Sequence, residues 1–125
     1  MQFNFNCEQA LGCRDGFAVI EGSFQSAIKP GYIPFVNEIL DSMGYNSSSA
    51  QGLSTIITTA SKLFSSNHRC YLRAQGNTVI CILKVGAKKL FVRDENANYH
   101  EISPLCVLDF YVHESQQRGG QGKVR

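Results

Sequence analysis

The clearest chemical suggestion in the sequence is the run Gln117-Arg118-Gly119-Gly120-Gln121-Gly122-Lys123, which follows closely on the apolar stretch "PLCVLDFYV". Glycines let a backbone approach a ligand closely, and successive N–H groups at a helix start point at an anion, so a strand leading into such a loop suits a phosphate. Lys123 would add positive charge. The run is not a Walker A loop. Counting back five residues from Gly122 reaches Gln117 rather than glycine, and Val124 after Lys123 leaves no hydroxyl for magnesium. One Arg-Gly-Gly also carries too little charge for an RNA-binding tail. A glycine-rich surface turn is the plain alternative for the loop taken alone.

Other reactive groups form no constellation. Cys7, Cys13, Cys70, Cys81 and Cys106 are odd in number, contain no CxxC and match no zinc framework. Cys70, Cys81 and Cys106 lie in apolar runs, which suggests reduced, buried cysteines of an intracellular protein. His68, His100 and His113 have no Cys or His at ligand spacing, so no metal is expected. The net charge of +2 names no polyanionic partner, and no nucleic acid is expected. No apolar run approaches the ~20 residues of a membrane span, so no membrane partner is expected either. The start "MQFNFNCEQALGC" has neither the basic nor the apolar region of a signal peptide.

The elements that would position such a loop follow from periodicity. "GFAVIE" (16–21) is a short strand, and "QSAIKPGYIP" (25–34) is a loop. Phe35, Val36, Ile39, Leu40 and Met43 recur at helical spacing, and Gly44 is placed to cap that helix. "SSSAQGLSTIITTASKLFSS" predicts a second helix with Leu53, Ile56, Ile57, Ala60, Leu63 and Phe64 on one stripe, and Ser47 to Ser49 as N-caps. The period then changes to two. "HRCYLRA" (68–74), the turn Gly76-Asn77 and the apolar "TVICILKV" (78–85) read as a hairpin with a central strand. Gly86 breaks that strand, and "KKLFV" (88–92) is expected to return as its hairpin partner. A last strand covers roughly Leu105 to Val112. The order gives one domain of mixed α/β or α+β class.

Residues 117–122 also fit the pyrophosphate loop [QR]xxGx[GA] of the GCN5-related acetyltransferases. Beyond the loop, "PLCVLDFYVHESQQRGGQGK", "LKVGAKKLFV" and "AQGLSTIITTASKLFSSNHRCYLR" closely resemble blocks of the α-tubulin N-acetyltransferases, in the same order, and cover most of residues 49–123. The N-terminal "FNF" and the helix at 35–43 agree more loosely, and the segment between Leu72 and Val79 is shorter than the family's usual hairpin.

The resemblance implies a GCN5-related N-acetyltransferase-like fold and transfer of acetyl from acetyl-CoA to a lumenal lysine of α-tubulin, with no metal. Direct attack in a ternary complex is the route that fold implies. Its implied setting is the cytoplasm and the microtubule cytoskeleton, the axoneme included, as a monomer. Phe110, Tyr111, Val112, His113, Glu114, Ser115, Gln116, Gln117, Arg118, Gly119, Gly120, Gln121, Gly122 and Lys123 match the first acetyl-CoA-binding segment. Gln51 matches a glutamine required for activity, Cys106 a cysteine at the cleft, and Asp109 an acidic residue of the same region. Lys84, Lys88 and Lys89, with Arg93 nearby, form a basic hairpin that could steer the chain to acidic tubulin.

Each residue also has a plainer reading: Gln51 a polar helix start, Cys106 a core cysteine, the lysines a solvated strand face. A lysine with a pKa near ~10.4 is mostly protonated at pH 7, so the site needs a proton acceptor. Cys106 would serve only if its pKa fell near neutrality. In a regular strand Cys106, Leu108 and Phe110 share one face, and Asp109 faces the other unless a bulge intervenes. The family domain runs past the glycine loop, so residues 1–125 are expected to be the N-terminal part of one acetyltransferase domain with an exposed last strand. The competing expectation is a tubulin- or microtubule-binding fragment without turnover.

Overall fold

The computed structural model describes residues 1–113. Its core is a four-stranded antiparallel sheet in the order β1-β2-β3-β6, built from β1 (Phe17–Glu21), β2 (Arg69–Gln75), β3 (Thr78–Ala87) and β6 (Leu105–Val112). β4 (Leu90–Arg93) and β5 (Tyr99–Ile102) form a separate exposed hairpin. Among the described residues three α-helices accompany the strands, α1 (Cys7–Leu11), α2 (Ile33–Ala50) and α3 (Ala60–Phe64), and 3-10 turns cover Gly22–Ala27 and Pro30–Tyr32 in place of the expected loop at 25–34. The mixed α/β class expected from sequence is observed.

α2 lays Val36, Ile39, Leu40 and Met43 against Leu72, Ile82 and Tyr111 of the sheet, with Leu63 of α3 and Cys7 of α1 completing the core. Full burial of such aliphatic side chains is worth roughly 1.5–3 kcal/mol each, which is what holds a helix of modest propensity in place.

Three further expectations are corrected. α2 does not stop at Gly44 but continues to Ala50. Gly44 is needed for approach rather than capping, because a Cβ there would lie 1.7 Å from the Thr58 carbonyl oxygen. The second helix is only Ala60–Phe64. Gly52 takes φ +68 just after α2, Thr59 caps α3 through its side chain, and the β-branched run between them is not helical. Ser47 to Ser49 therefore end the first helix instead of starting a second. Finally, "KKLFV" does not pair with β3, which runs on through Gly86 to Ala87 and takes β6 as its neighbour. The segment 88–104 leaves the sheet and folds on itself, with Leu90 opposite Ile102.

Gly86 is tolerated inside β3 because His68 and Leu108 cover the space where a side chain would be; a Cβ there would stand 2.3 Å from the His68 ring. Burial, and secondarily the positive charge of Lys84, lower the pKa of His68 below its ordinary 6.5. The unfolded chain therefore binds a proton there before the folded one does, and stability is lost as pH falls through 6.5. Acidification from about pH 7.5 to 5.5 should lower the melting temperature, and His68→Gln should flatten that dependence; an unchanged slope in the variant would remove His68 as its source. Gly44→Ala should destabilise the chain by roughly 1–3 kcal/mol in urea unfolding, since the clash is with backbone and cannot be relieved by a rotamer.

Candidate functional site

The site starts from a charge in the wrong company. Asp109 lies in the apolar β6 and is 4% exposed, and Lys84, opposite it on β3, is also 4% exposed. A buried carboxylate requires donors. Asp109 Oδ1 accepts from Ser47 Oγ at 2.6 Å and from Gln51 Nε2 at 3.3 Å, and Oδ2 accepts from Thr58 Oγ1 at 2.6 Å. Ser47 and Gln51 come from the last turn and the cap of α2, and Thr58 from the following loop.

The sequence places Lys84 in a basic hairpin that faces a partner; the structure buries it instead. Its Nζ donates to the Ile57 carbonyl at 2.9 Å. Burial lowers its pKa below 10.5, against the opposing pull of Cys70 and Asp109. Lys62 Nζ donates to the neighbouring Ile56 carbonyl, and Ile57 N–H donates to Ser48 Oγ at 3.3 Å. The loop between α2 and α3 is thus held to both the helix and the sheet.

Gln51 is oriented by this arrangement. A carboxylate only accepts, so the amide must turn its NH2 toward Asp109. Ser47 Oγ donates to Asp109 and accepts from Gln51 Nε2 at 2.8 Å, which fixes the same orientation. Gln51 is exposed, and its Oε1 is the amide atom left for a ligand.

Cys106 reaches the same face through a bulge. Lys84 pairs with Asp109 but Val85 pairs with Val107, so Leu108 is the extra residue in β6. Cys106 lies opposite Gly86, which shares the face of Lys84, and hence that of Asp109. Regular alternation, which would separate Cys106 from Asp109 and align it with Phe110, does not hold. Phe110 points to the opposite face and is 53% exposed, while Tyr111 and Val112 are buried. Cys106 is half-buried, with Sγ 3.5 Å from the Pro104 carbonyl. Burial pushes Cys7 to about 11 and Cys70 to about 12, and also raises Cys13 and Cys81, which withholds their thiolates at neutral pH.

The remaining candidates are spread out. Lys88 and Lys89 are exposed at the start of the β4–β5 excursion, with Lys89 Nζ 3.5 Å from Glu101. His113 sets its ring edge-on to Tyr111 at 6.3 Å. Residues 114–123 of the expected cofactor segment lie outside the described residues. The part that is described presents a strand edge. His113 N–H turns inward to Ile80 at 3.0 Å, so by alternation the backbone groups of Phe110 point to the outer side of β6. Such an edge suits an extended ligand carrying amides, as the pantetheine arm of acetyl-CoA does. Among the described residues no cluster of His, Cys, Asp and Glu could hold a metal, and no helix is long and apolar enough to cross a membrane.

Sequence reasoning gives Ser47 only as a helix cap and passes over Thr58, so neither is a site candidate from sequence. The signal lay in continuing the α2 stripe: Ile39, Met43, Ser47 and Gln51 are spaced four apart, and the row turns from apolar to polar where it meets Asp109.

Residues 10–124 match the family described as GNAT acetyltransferase, Mec-17. The chain is similar to the α-tubulin N-acetyltransferase of Tetrahymena thermophila, at 42% identity over 99% of this chain and 32% of that protein. It is similar to the enzyme of the same name from Aedes aegypti, at 48% identity over 98% of this chain and 49% of that protein. With α-tubulin N-acetyltransferase 1 of Danio rerio it shares 43% identity over 75% of this chain and 34% of that protein. The chain thus spans between a third and a half of the length of these relatives.

Ser47 and Thr58 grip different oxygens of one carboxylate, so their contributions should be coupled. Ser47→Ala and Thr58→Val should each lower stability by roughly 1–3 kcal/mol, and the double variant should depart from their sum by at least ~0.5 kcal/mol. Additive unfolding energies would mean that the two hydroxyls act independently.

Proposed function

Because the chain belongs to the Mec-17 family of GNAT acetyltransferases, we propose that it carries part of an α-tubulin lysine acetyltransferase site centred on Gln51 and Cys106. The supporting observation is the Asp109 cluster, which leaves one oriented acceptor, Gln51 Oε1, and one thiol, Cys106, on the side of the sheet next to the outer edge of β6.

Acetyl-CoA, when bound, supplies a thioester carbonyl that a free amine attacks directly within a ternary complex. Phe110 to His113 would hold its arm along the β6 edge, and residues 114–123 match the segment expected at its phosphates. The chain's own residues have three tasks. Gln51 Oε1 accepts an N–H of the incoming lysine amine and aims its lone pair. Cys106 is the candidate to receive or relay the proton that the lysine must lose. Asp109, whose oxygens are already occupied by two hydroxyls and an amide, is a positioning residue: it fixes Gln51 and the loop at Thr58 and does not meet the substrate.

Lys84 has the same kind of role through Ile57, which takes it out of any steering surface. Lys88 is left, with Lys89 and Arg93, to attract an acidic partner such as tubulin, and this hairpin is what a binding fragment without turnover would retain. The lumenal lysine as target and the cytoskeleton as setting are part of this reading.

The test is acetyl-CoA titration by calorimetry with thermal unfolding, followed by acetylation of microtubules. Saturable binding with a raised melting temperature is expected. Gln51→Ala should keep the melting temperature within a few degrees and lower the acetylation rate about 10–100-fold, because an aimed acceptor contributes roughly 1.4–2.7 kcal/mol to the transition state. An unchanged rate would remove Gln51 from the site. Absence of cofactor binding alongside co-sedimentation with microtubules would favour the binding fragment.

A further inference from the structure

A second feature lies at the other end of the sheet. β1 is paired to β2 on one side only. On its outer side Phe17 exchanges backbone bonds with Arg14, N–H to O at 3.0 Å and O from N–H at 2.8 Å. Backbone groups along a strand alternate in direction, so those of Val19 and Glu21 face the same outer side. The turn agrees: Gly22 N–H points inward to the His68 carbonyl at 2.8 Å. Glu21 also caps the 3-10 turn Gly22–Ala27, which takes up its C=O; among the described residues nothing pairs with the outward N–H and C=O of Val19 or with the outward N–H of Glu21.

Beside this edge is a cavity of about 650 Å³, lined by Val19 to Glu21, by Leu11 and Gln9 of α1, and by Ile28, Lys29, Tyr32 and Val36. That volume is within the ~300–1,000 Å³ usual for ligand sites. It is separate from the Asp109 cluster. Val36 is in the first turn of α2 and Ser47 near its end, about 16 Å along the helix axis at ~1.5 Å per residue.

We propose that this edge is a docking groove for an extended segment of a partner protein, added as a strand to β1 and carrying an acidic side chain between apolar ones. The N–H and C=O of Val19 and, about 6.8 Å further along the strand, the N–H of Glu21 match the i, i+2 repeat of an incoming antiparallel chain. A small apolar ligand would leave those groups unpaired, at a penalty of roughly 1–3 kcal/mol each. Leu11, Ile28, Tyr32 and Val36 offer apolar contact for alternate side chains. Charge complementarity sets the acidic position. Arg69 neutralises Glu21 at 3.0 Å, whereas Lys29 is exposed and has no ion-pair partner among the described residues, so the groove has an unbalanced positive charge.

The probe is a fluorescein-labelled peptide, Val-Thr-Val-Asp-Val-Thr-Val, titrated against the 125-residue chain by anisotropy, with the ¹⁵N-labelled chain followed by NMR. Saturable binding is expected, with the largest amide shifts at Val19 and Glu21. N-methylation of alternate peptide residues should weaken binding at least about tenfold in one phase and little in the other, because only one set of N–H groups faces the edge. Lys29→Glu should weaken it about three- to fivefold, and replacing the peptide aspartate with lysine should restore binding to that variant. No saturation at millimolar peptide, equal loss in both methylation phases, or shifts confined to β6 would each overturn the proposal. Binding insensitive to methylation would assign the cavity to apolar ligands instead and overturn strand addition.

Discussion

The arrangement depends on a carboxylate almost entirely removed from water. Asp109 is part of a strand otherwise made of Leu, Cys, Val, Phe and Tyr, and burying an unpaired charge there would be prohibitive. The donors that make it tolerable come from other elements: a hydroxyl and an amide from the end of α2, and a hydroxyl from the loop beyond it. The requirement therefore docks helix and loop onto the sheet. It also explains Gly44, which lets α2 approach the Thr58 backbone closely enough for Thr58 to reach Asp109. Buried networks of this kind are stable only when each member is satisfied, so the geometry around Asp109 is tightly determined.

In the proposed site that determinacy fixes the direction of Gln51. Bond directions pass from Asp109, which can only accept, to Ser47, which donates and accepts, to Gln51, whose amide has one remaining orientation. The outcome is an acceptor whose direction is set by buried groups while it stands at the surface itself. Preorganised dipoles need no rearrangement when charge moves, and this is where most electrostatic help to a reaction originates. Lys84 contributes from the other side by holding the Ile57 carbonyl, so the loop is restrained at two successive residues, Ile57 and Thr58.

Much of this was legible in the sequence, and the failures share a cause. The alternation in "HRCYLRA" and "TVICILKV" gave the central hairpin, and the stripe from Val36 to Met43 gave the buried face of α2. The end of α2 was misplaced because Gly44 was read as a local cap, when its role is a contact with Thr58, distant in sequence. The second helix was over-extended because Leu53, Ile56 and Ile57 have helical spacing, yet Leu53 is exposed and the peptide groups of Ile56 and Ile57 bond side chains. Lys84 looked like one of three surface lysines. Its neighbours Leu83 and Val85, and a lone Asp109 in an equally apolar strand, were the available sign of two buried charges facing each other. The bulge at Leu108 had no local marker, since it arises from pairing with β3.

The two edges of the sheet show how identical backbone groups acquire different uses. An exposed strand edge invites indiscriminate pairing, and folds counter this with bulges, charges or short strands. β6 has the bulge, which turns Cys106 toward the Asp109 side and breaks the regular ladder at that point. β1 is only five residues long, and Arg14 already occupies the outer side of Phe17. Among the described residues Val19 and the N–H of Glu21 then remain open, beside a cavity lined by a lysine with no ion-pair partner among them. Each edge is thereby narrowed from a general template to a short set of directed groups. The bulged edge is next to an oriented acceptor and a thiol, a setting for chemistry. The other has apolar walls and one positive charge, a setting for recognition without reaction.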